Sequence, residues 1–419
     1  MEKKKLRYLI LIILFALTLR VGFILTLDNS VDVWGDWWDE LGWKLATGQG
    51  YWVNNPYFSD GPVFYSWRAP GFPLFLALIY KIFGHSFLAA KIALAMVSAF
   101  TCLILYLLAR RIFRNNKIAA FTGFIYVFYP PAIFWTGYLA PVTLEIFFSV
   151  LIVYLFYSGV KKLNFLNFLF AGIILGLGVL TRSLFIVFLP IVFLWLILYK
   201  GWLFSLKATA LTFFLFFLTV FPWAMRNFKI HGKLIFTSTE GGIVCYIANN
   251  EKSLYQPSGY WDPTGNINEP VIKQVMGLSE LEANSFFYKA AFKFIKENPG
   301  IYVRLVKDRF LRFWKLAPHT FSGPGENYKK YHVFIALITN LPIFIFAGLG
   351  FLLSLKKFRE YSLLYLTVLL WSLPIIMFFK TVIRYREPIM PFVILLAVEG
   401  ICGLSSFYKR KKCKQNKTE

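Results

Sequence analysis

The sequence predicts an all-α polytopic membrane protein: about ten transmembrane helices, interfacial helices in a first long loop, and a small α-rich domain outside the bilayer. Composition is the first observation behind this. Of 419 residues, 58% are hydrophobic, 20% aromatic and only 16% charged, a balance that a chain with a wholly water-facing surface does not have. Spacing is the second. A hydrocarbon core of about 30 Å needs roughly 20 apolar residues in a helix, and runs of that order recur at residues 8–27, 87–109, 118–134, 140–159, 165–181, 184–199, 205–224, 333–355, 361–379 and 388–408. Charge placement is the third. Basic residues collect in alternate connections, in "RRIFRNNK" (Arg110 to Lys117), at Lys161, Lys200 and Lys207, in "KKFR" (Lys356 to Arg359) and in the tail "KRKKCKQNK", so these face the cytoplasm and both termini lie inside the cell membrane.

The opening "MEKKKLR" before an apolar run resembles a secretory signal. No small-residue cleavage pattern follows Leu27 and further spans lie behind it, so the segment reads as an uncleaved first helix. Most of the formal charge of +24 is then a topology signal. The cations sit at helix ends in short inner loops with no nucleic-acid-binding motif, which argues against a nucleic-acid partner. The same topology puts Cys102 and Cys402 in spans, Cys413 in the inner tail and only Cys245 outside, so no disulfide framework is available.

Three regions follow. Residues 1–224 form a transmembrane core with a long outer loop at 28–86; residues 225–332 form an outer loop domain; residues 333–419 supply the last helices and a basic tail. Loops this long between helices are usually functional. In the second, Ser279 to Trp314 has helical apolar spacing, a Ser-x-x-Glu capping box at Ser279 and a break at Pro299-Gly300, the pattern of two amphipathic helices on the membrane surface. The preceding "PSGYWDPTGN" is turn-rich.

The first long loop opens with "VWGDWWDELGWKLATGQGY" (Val33 to Tyr51). At about 100° per residue, Trp34, Trp38, Leu41 and Leu45 form a stripe, with Asp36, Asp39, Glu40 and Thr47 opposite. Acids covering the wet side of a surface helix would account for this. Other charges at membrane depth change the weighing: Arg20, Arg68, Glu145, Arg182, Arg226, Lys380, Arg384 and Arg386 all fall near outer span ends. Each could be a structural ion pair, but charges at that depth normally face a cavity and pair with something. As a set they describe an outward-facing polar site with acids able to act as base and arginines able to hold an anion. A phosphate leaving group needs cations rather than a general acid, and a hydroxyl or amine nucleophile needs a base. Transfer of a group from a lipid-borne phosphate fits.

The order of motifs identifies the group. "DWWDELGWKLATGQGY", "SWRAPGFPLFLALIYKIFG" (Ser66 to Gly84), "YP" at Tyr129, Glu145 in "LAPVTLEIFF", "LGVLTRS", "PWAMRNFKIHGKLIFTSTEGG" (Pro222 to Gly242) and "RYREPIMP" (Arg384 to Pro391) follow one another. The chain thereby resembles the GT-C polytopic glycosyltransferases, in the branch of dolichyl-phosphate-mannose protein mannosyltransferases and lipid A aminoarabinose transferases. The resemblance runs along nearly the whole chain and is strongest from residue 32 to 242. It implies a glycosyltransferase that moves a hexosyl or pentosyl group from a polyprenyl-phosphate donor to a protein, lipid or envelope glycan acceptor on the outer face, by single displacement with inversion. It implies that an acid of the first outer loop is catalytic, Asp36 or Asp39 with Glu40 adjoining, and Asp36 is favoured. Arg68 would contact the lipid phosphate, Glu145 would position sugar or acceptor, and Arg182, Arg226, Arg384 and Arg386 are weaker phosphate or sugar candidates.

No cofactor is certain; Asp36 and Asp39 beside a phosphate could hold a divalent cation, whereas His85, His231, His319 and His332 have no ligand spacing. Glu399, deep in the last span, should be paired within the bundle. The competing class is a transporter or flippase of a lipid-linked anion, which would use the same arginines without chemistry; no repeat symmetry accompanies them.

Overall fold

The computed structural model describes residues 2–30, 37–58, 61–256, 261–264, 266, 268–317 and 330–415. Among these the fold is helical, with one isolated antiparallel bridge between Val53 and Phe64. The elements run α1 (Glu2–Leu25), α2 (Trp38–Ala46), α3 (Gly71–Phe83), α4 (Phe87–Phe113), α5 (Asn116–Val127), α6 (Pro130–Phe134), α7 (Val142–Lys162), α8 (Leu166–Thr181), α9 (Phe188–Lys200) and α10 (Trp202–His231). After them come α11 (Gly241–Tyr246), α12 (Pro270–Val275), α13 (Glu280–Glu297), α14 (Pro299–Phe313), α15 (Lys330–Ser354), α16 (Phe358–Phe378) and α17 (Met390–Gln415).

Among the described residues, seven helical segments are long and apolar enough to cross a membrane, one of them, Tyr331–Phe378, being α15 and α16 joined through a 3-10 turn. A helix pair bent by 58°, Asn116–Val127 with Pro130–Gly137, makes an eighth; Pro130 and Pro131, which cannot donate to the preceding turn, are the cause of the break. The apolar α8 is shorter, at 16 residues. Each of the ten expected spans coincides with one of these helices or with the bent pair, and the chain is an integral membrane protein.

Two charged side chains within the bundle, Arg20 and Glu399, find local hydrogen-bond partners, as the cost of an unpaired ion favours. Arg20 of α1 donates from Nε to Ser98 Oγ of α4 at 2.7 Å and from Nη1 to the carbonyls of Ala16 and Val127 at 3.2 Å. Tyr361 donates to Glu399 at 2.8 Å, the pairing expected for that acid. Where α15 crosses α17, a Cβ on Gly350 would lie 1.8 Å from the Leu396 carbonyl oxygen; only glycine lets the two backbones approach this closely.

The long loops fold onto one end of the bundle. Helix α2 buries Trp38 and Leu41, two members of the expected apolar stripe; Trp34 and Asp36 lie outside the described residues. Trp37, at the start of α2, has φ 60°, a left-handed backbone that costs a bulky residue about 1–2 kcal/mol. Helix α3 buries Phe72, Leu76 and Tyr80 while exposing Leu74, Leu78 and Ile82, the two-sided pattern of a helix lying against lipid. Its first residue packs on the end of α8, where a Cβ on Gly71 would sit 2.4 Å from Thr181 Oγ1 and 2.8 Å from the Leu180 carbonyl. Backbone cannot yield as a side-chain tip can, so Gly71→Ala is expected to lower stability by about 1–3 kcal/mol; thermal unfolding in lipid-detergent micelles, with an unchanged midpoint as the contrary result, checks it.

The second loop has the expected helix pair, α13 and α14, broken at Asn298–Pro299. Ser279 and Glu282 form the capping box, the Ser279 hydroxyl accepting from the Glu282 backbone N–H and the Glu282 carboxylate accepting from that of Ser279. The two loops share one apolar core, in which Tyr57, Phe64 and Trp67 of the first meet Ile243, Ile272 and Phe287 of the second. Glu280 ties them further: its carboxylate accepts from the backbone N–H groups of Tyr65 at 2.8 Å and Ser66 at 3.0 Å and from the Thr239 hydroxyl.

Candidate active site

At the end of the bundle beneath these loops, span ends and loop segments that are distant in sequence enclose a cavity of about 470 Å³. Arg68, just before α3, Arg182, just after α8, and Arg384, in the 3-10 turn before α17, all line it, with Trp38, Glu240, Tyr288 and Tyr385. Three guanidiniums thus face one carboxylate among the described lining residues, a site built for an anion.

Each arginine is held by an aromatic face. The Arg68 guanidinium carbon lies 5.0 Å from the Trp38 ring centre and 5.7 Å from that of Trp37, and its Nη1 pairs with Glu240. Arg182 and Arg384 flank Tyr385, at 4.5 and 5.3 Å from its ring centre. Arg182 also donates from Nε to Glu145 Oε1 at 2.6 Å, and the Glu145 side chain is completely buried. Cation–π contacts of this kind orient a guanidinium without neutralising it. Burial pushes the Tyr288 hydroxyl up to about 12, so it is a neutral hydrogen-bonding group at physiological pH.

The expected residues divide accordingly. Arg68, Arg182 and Arg384 come together, with Glu145 behind Arg182 rather than on the cavity wall. Arg226 lies elsewhere: its Nη1 donates to the Tyr65 carbonyl at 2.6 Å and its Nη2 to the Tyr51 carbonyl at 2.8 Å, so it clamps the first loop. Arg386 is fully buried and donates to the carbonyls of Phe313 and Lys315 at 3.0 and 2.8 Å, fixing the end of α14. Asp39 accepts from Tyr80 Oη at 2.5 Å and contacts His85 Nε2 at 2.9 Å; it too is absent from the cavity lining. Glu40 pairs with Lys44 one turn on. Asp36 lies outside the described residues, two positions before Trp38, whose side chain is on the wall.

Glu240, Tyr288 and Tyr385 were missed as individual residues, although "STEGG" and "RYREP" were noticed. The signal available was an acid directly before two glycines in a loop. Their reason is steric: a Cβ on Gly241 would lie 2.2 Å from Tyr288 Oη, and one on Gly242 2.1 Å from the Asn284 carbonyl. Of the pair expected to hold a divalent cation, Asp39 is described and Asp36 lies outside the described residues. Among the described residues no three His, Cys, Asp or Glu side chains group to hold one, and Asp39 and Glu240 are committed to other partners.

Residues 67–225 match the dolichyl-phosphate-mannose-protein mannosyltransferase family model. The match takes in Arg68 and Arg182 and the helices from α3 to most of α10. Its fold is also similar to that of the oligosaccharyltransferase AglB from Archaeoglobus fulgidus. The complex of AglB with an inhibitory peptide and a dolichol-phosphate matches with TM-score 0.59 and 14% identity over 99% of this chain and 52% of that one. The form tethered to an acceptor peptide matches with TM-score 0.55 and 15% identity over 95% and 49%. ArnT from Cupriavidus metallidurans bound to undecaprenyl phosphate matches with TM-score 0.46 and 14% identity over 94% and 77%. The chain spans about half the length of the archaeal enzyme. A comparison with curated proteins returns no significant match. The likeness to AglB shows the fold, that of a polytopic helical membrane protein.

Proposed function

We propose that the enzyme transfers a hexosyl or pentosyl group from a polyprenyl-phosphate donor to an envelope acceptor on the outer face of the membrane. The observation that carries this is the convergence of Arg68, Arg182 and Arg384 on one cavity where span ends meet the long loops. An anion held there sits at the level of lipid headgroups, and the exposed apolar stripe of α3 beside Arg68 suits a lipid-borne substrate. The solved complex of AglB with dolichol-phosphate concerns an enzyme that binds such a carrier.

Chemistry follows from charge. As the anomeric C–O bond breaks, its electron pair stays on the phosphate, and guanidiniums already fixed by aromatic faces stabilise that charge with little reorganisation. Asp36 takes the proton of the attacking hydroxyl or amine, while Asp39, engaged by Tyr80 and His85, seats α2. Attack opposite the phosphate inverts the anomeric centre. Protein in lipid vesicles, given a radiolabelled polyprenyl-phosphate sugar and an envelope acceptor fraction, tests this. Wild type is expected to label the acceptor, Asp36→Asn to lose about 10²–10⁴-fold in rate while still binding donor, and Asp39→Asn to lose far less. Label crossing the bilayer without transfer, equally in wild type and Asp36→Asn, would overturn the reading in favour of a flippase.

A further inference from the structure

Glu240 supplies the single carboxylate among the described residues lining the arginine-rich cavity, and it holds Arg68. Arg68 and Arg182 each meet a carboxylate, but the two acids are not equivalent. Glu145 is completely buried under Arg182, whereas the Glu240 side chain is 23% exposed and stands on the cavity wall. Backbone on either side of Glu240 is pinned. Thr239 N–H donates to the Ser66 carbonyl at 2.9 Å, and Gly242 N–H donates to Asn284 Oδ1 at 2.7 Å. The side chain can turn into the cavity while its backbone stays in place; Glu145 has nowhere to turn.

The donor reading above gives this difference a use. A sugar phosphodiester carries one negative charge. When its anomeric C–O bond breaks, the electron pair remains on the phosphate oxygen, the new bond joins the anomeric carbon to the acceptor, and the acceptor's proton goes to the base. The released phosphomonoester carries about −1.5 to −2 charges at neutral pH. Demand for cation rises during the step, and a product phosphate held by the cavity guanidiniums with no carboxylate to compete for Arg68 would leave slowly.

We propose that Glu240 is the displaceable counter-anion of Arg68, a positioning residue that yields the guanidinium to the lipid phosphate during transfer and reclaims it to expel the product. Arg68 is thereby kept oriented between Trp37 and Trp38 in the ligand-free enzyme, and the hold on product phosphate is weakened by competition. This rests on the donor being a lipid phosphate.

Full-length protein in nanodiscs, titrated with farnesyl phosphate, tests it. Glu240→Gln and Glu240→Ala are expected to bind about three- to tenfold more tightly than wild type, the size of effect for removing one partly exposed competing charge. Glu240→Asp, which keeps the charge, is expected to bind as wild type does. In turnover the neutral variants should lower kcat and donor KM together, with stronger inhibition by farnesyl phosphate. A merely structural role for the ion pair predicts the opposite sign, because a loosened Arg68 would bind phosphate less well. Wild type that binds farnesyl phosphate while both neutral variants bind it equally or more weakly overturns the inference and leaves the donor reading standing. Wild type that does not bind it overturns the donor reading, and the inference with it.

Discussion

Replacing Arg68 with alanine is expected to reduce sugar transfer by about 10²–10³-fold, the usual consequence of removing one preorganised group that stabilises developing negative charge. Among the described residues, the Glu240 carboxylate and the faces of Trp37 and Trp38 place the guanidinium, and none of these contacts survives truncation. Glu240 would be left facing the remaining arginines and the incoming phosphate, so donor affinity should fall by at least about tenfold as well. Arg68→Lys is expected to recover only part of the loss, since an ammonium can neither fork between two oxygens nor stack as a plane. Initial rates with a radiolabelled donor, alongside farnesyl phosphate titrations, separate the two effects. An alanine variant with wild-type affinity and rate would remove Arg68 from the site.

A second large effect is expected at Arg182, on stability. Its partner Glu145 is wholly buried in the first turn of α7, and Arg182 Nε is the hydrogen-bond donor to Oε1. Arg182→Ala strands a charge in a low-dielectric site, where breaking a buried pair costs about 3–5 kcal/mol. Glu145→Ala should cost less, because the Arg182 side chain is 23% exposed and lies on the cavity wall. The double replacement Glu145→Leu with Arg182→Met removes both charges and should restore much of the stability while leaving transfer inactive. Unfolding midpoints of the two single alanine variants, their double-alanine combination and the Leu/Met replacement in one micelle system read this out; equal losses for the two single variants, or strict additivity of the two alanine changes, would show that the pair is not the coupled unit described.

Much of the fold was legible because a bilayer imposes one-dimensional rules. A span must be long and apolar and must satisfy its backbone within itself, so ten runs could be placed by counting, and the structure has a helix or a bent helix pair at each. The capping box at Ser279 and the Pro299 break were equally local, and α13 and α14 begin there. Spacing also found α2, since Trp38 and Leu41 do turn inward. The span at 165–181 matches α8 to within one residue, whereas the bend after α5 was missed although its cause, Pro130 and Pro131, is local, because the apolar run at 118–134 was read by length as one straight span.

The site was legible as a set of charges and illegible as an arrangement. Sequence alone determined that arginines and acids collect near span ends on the side of the long loops, because burying them in hydrocarbon is too costly for any other placement. It could not rank them. Arg68 and Arg226 are both loop-side cations near aromatic residues, yet one faces the cavity and the other is consumed by the carbonyls of Tyr51 and Tyr65. Arg384 and Arg386 are two residues apart, and the turn between them sends one to the cavity and the other to the carbonyls at the end of α14. Asp39 was taken by Tyr80 and His85, and Glu240 was brought beside Arg68 from 172 positions away. Composition and period determine what must avoid lipid; which charge meets which partner is decided only when distant backbone closes around it, since hydrogen bonds and ion pairs act over a few ångströms and leave no periodic trace in the chain.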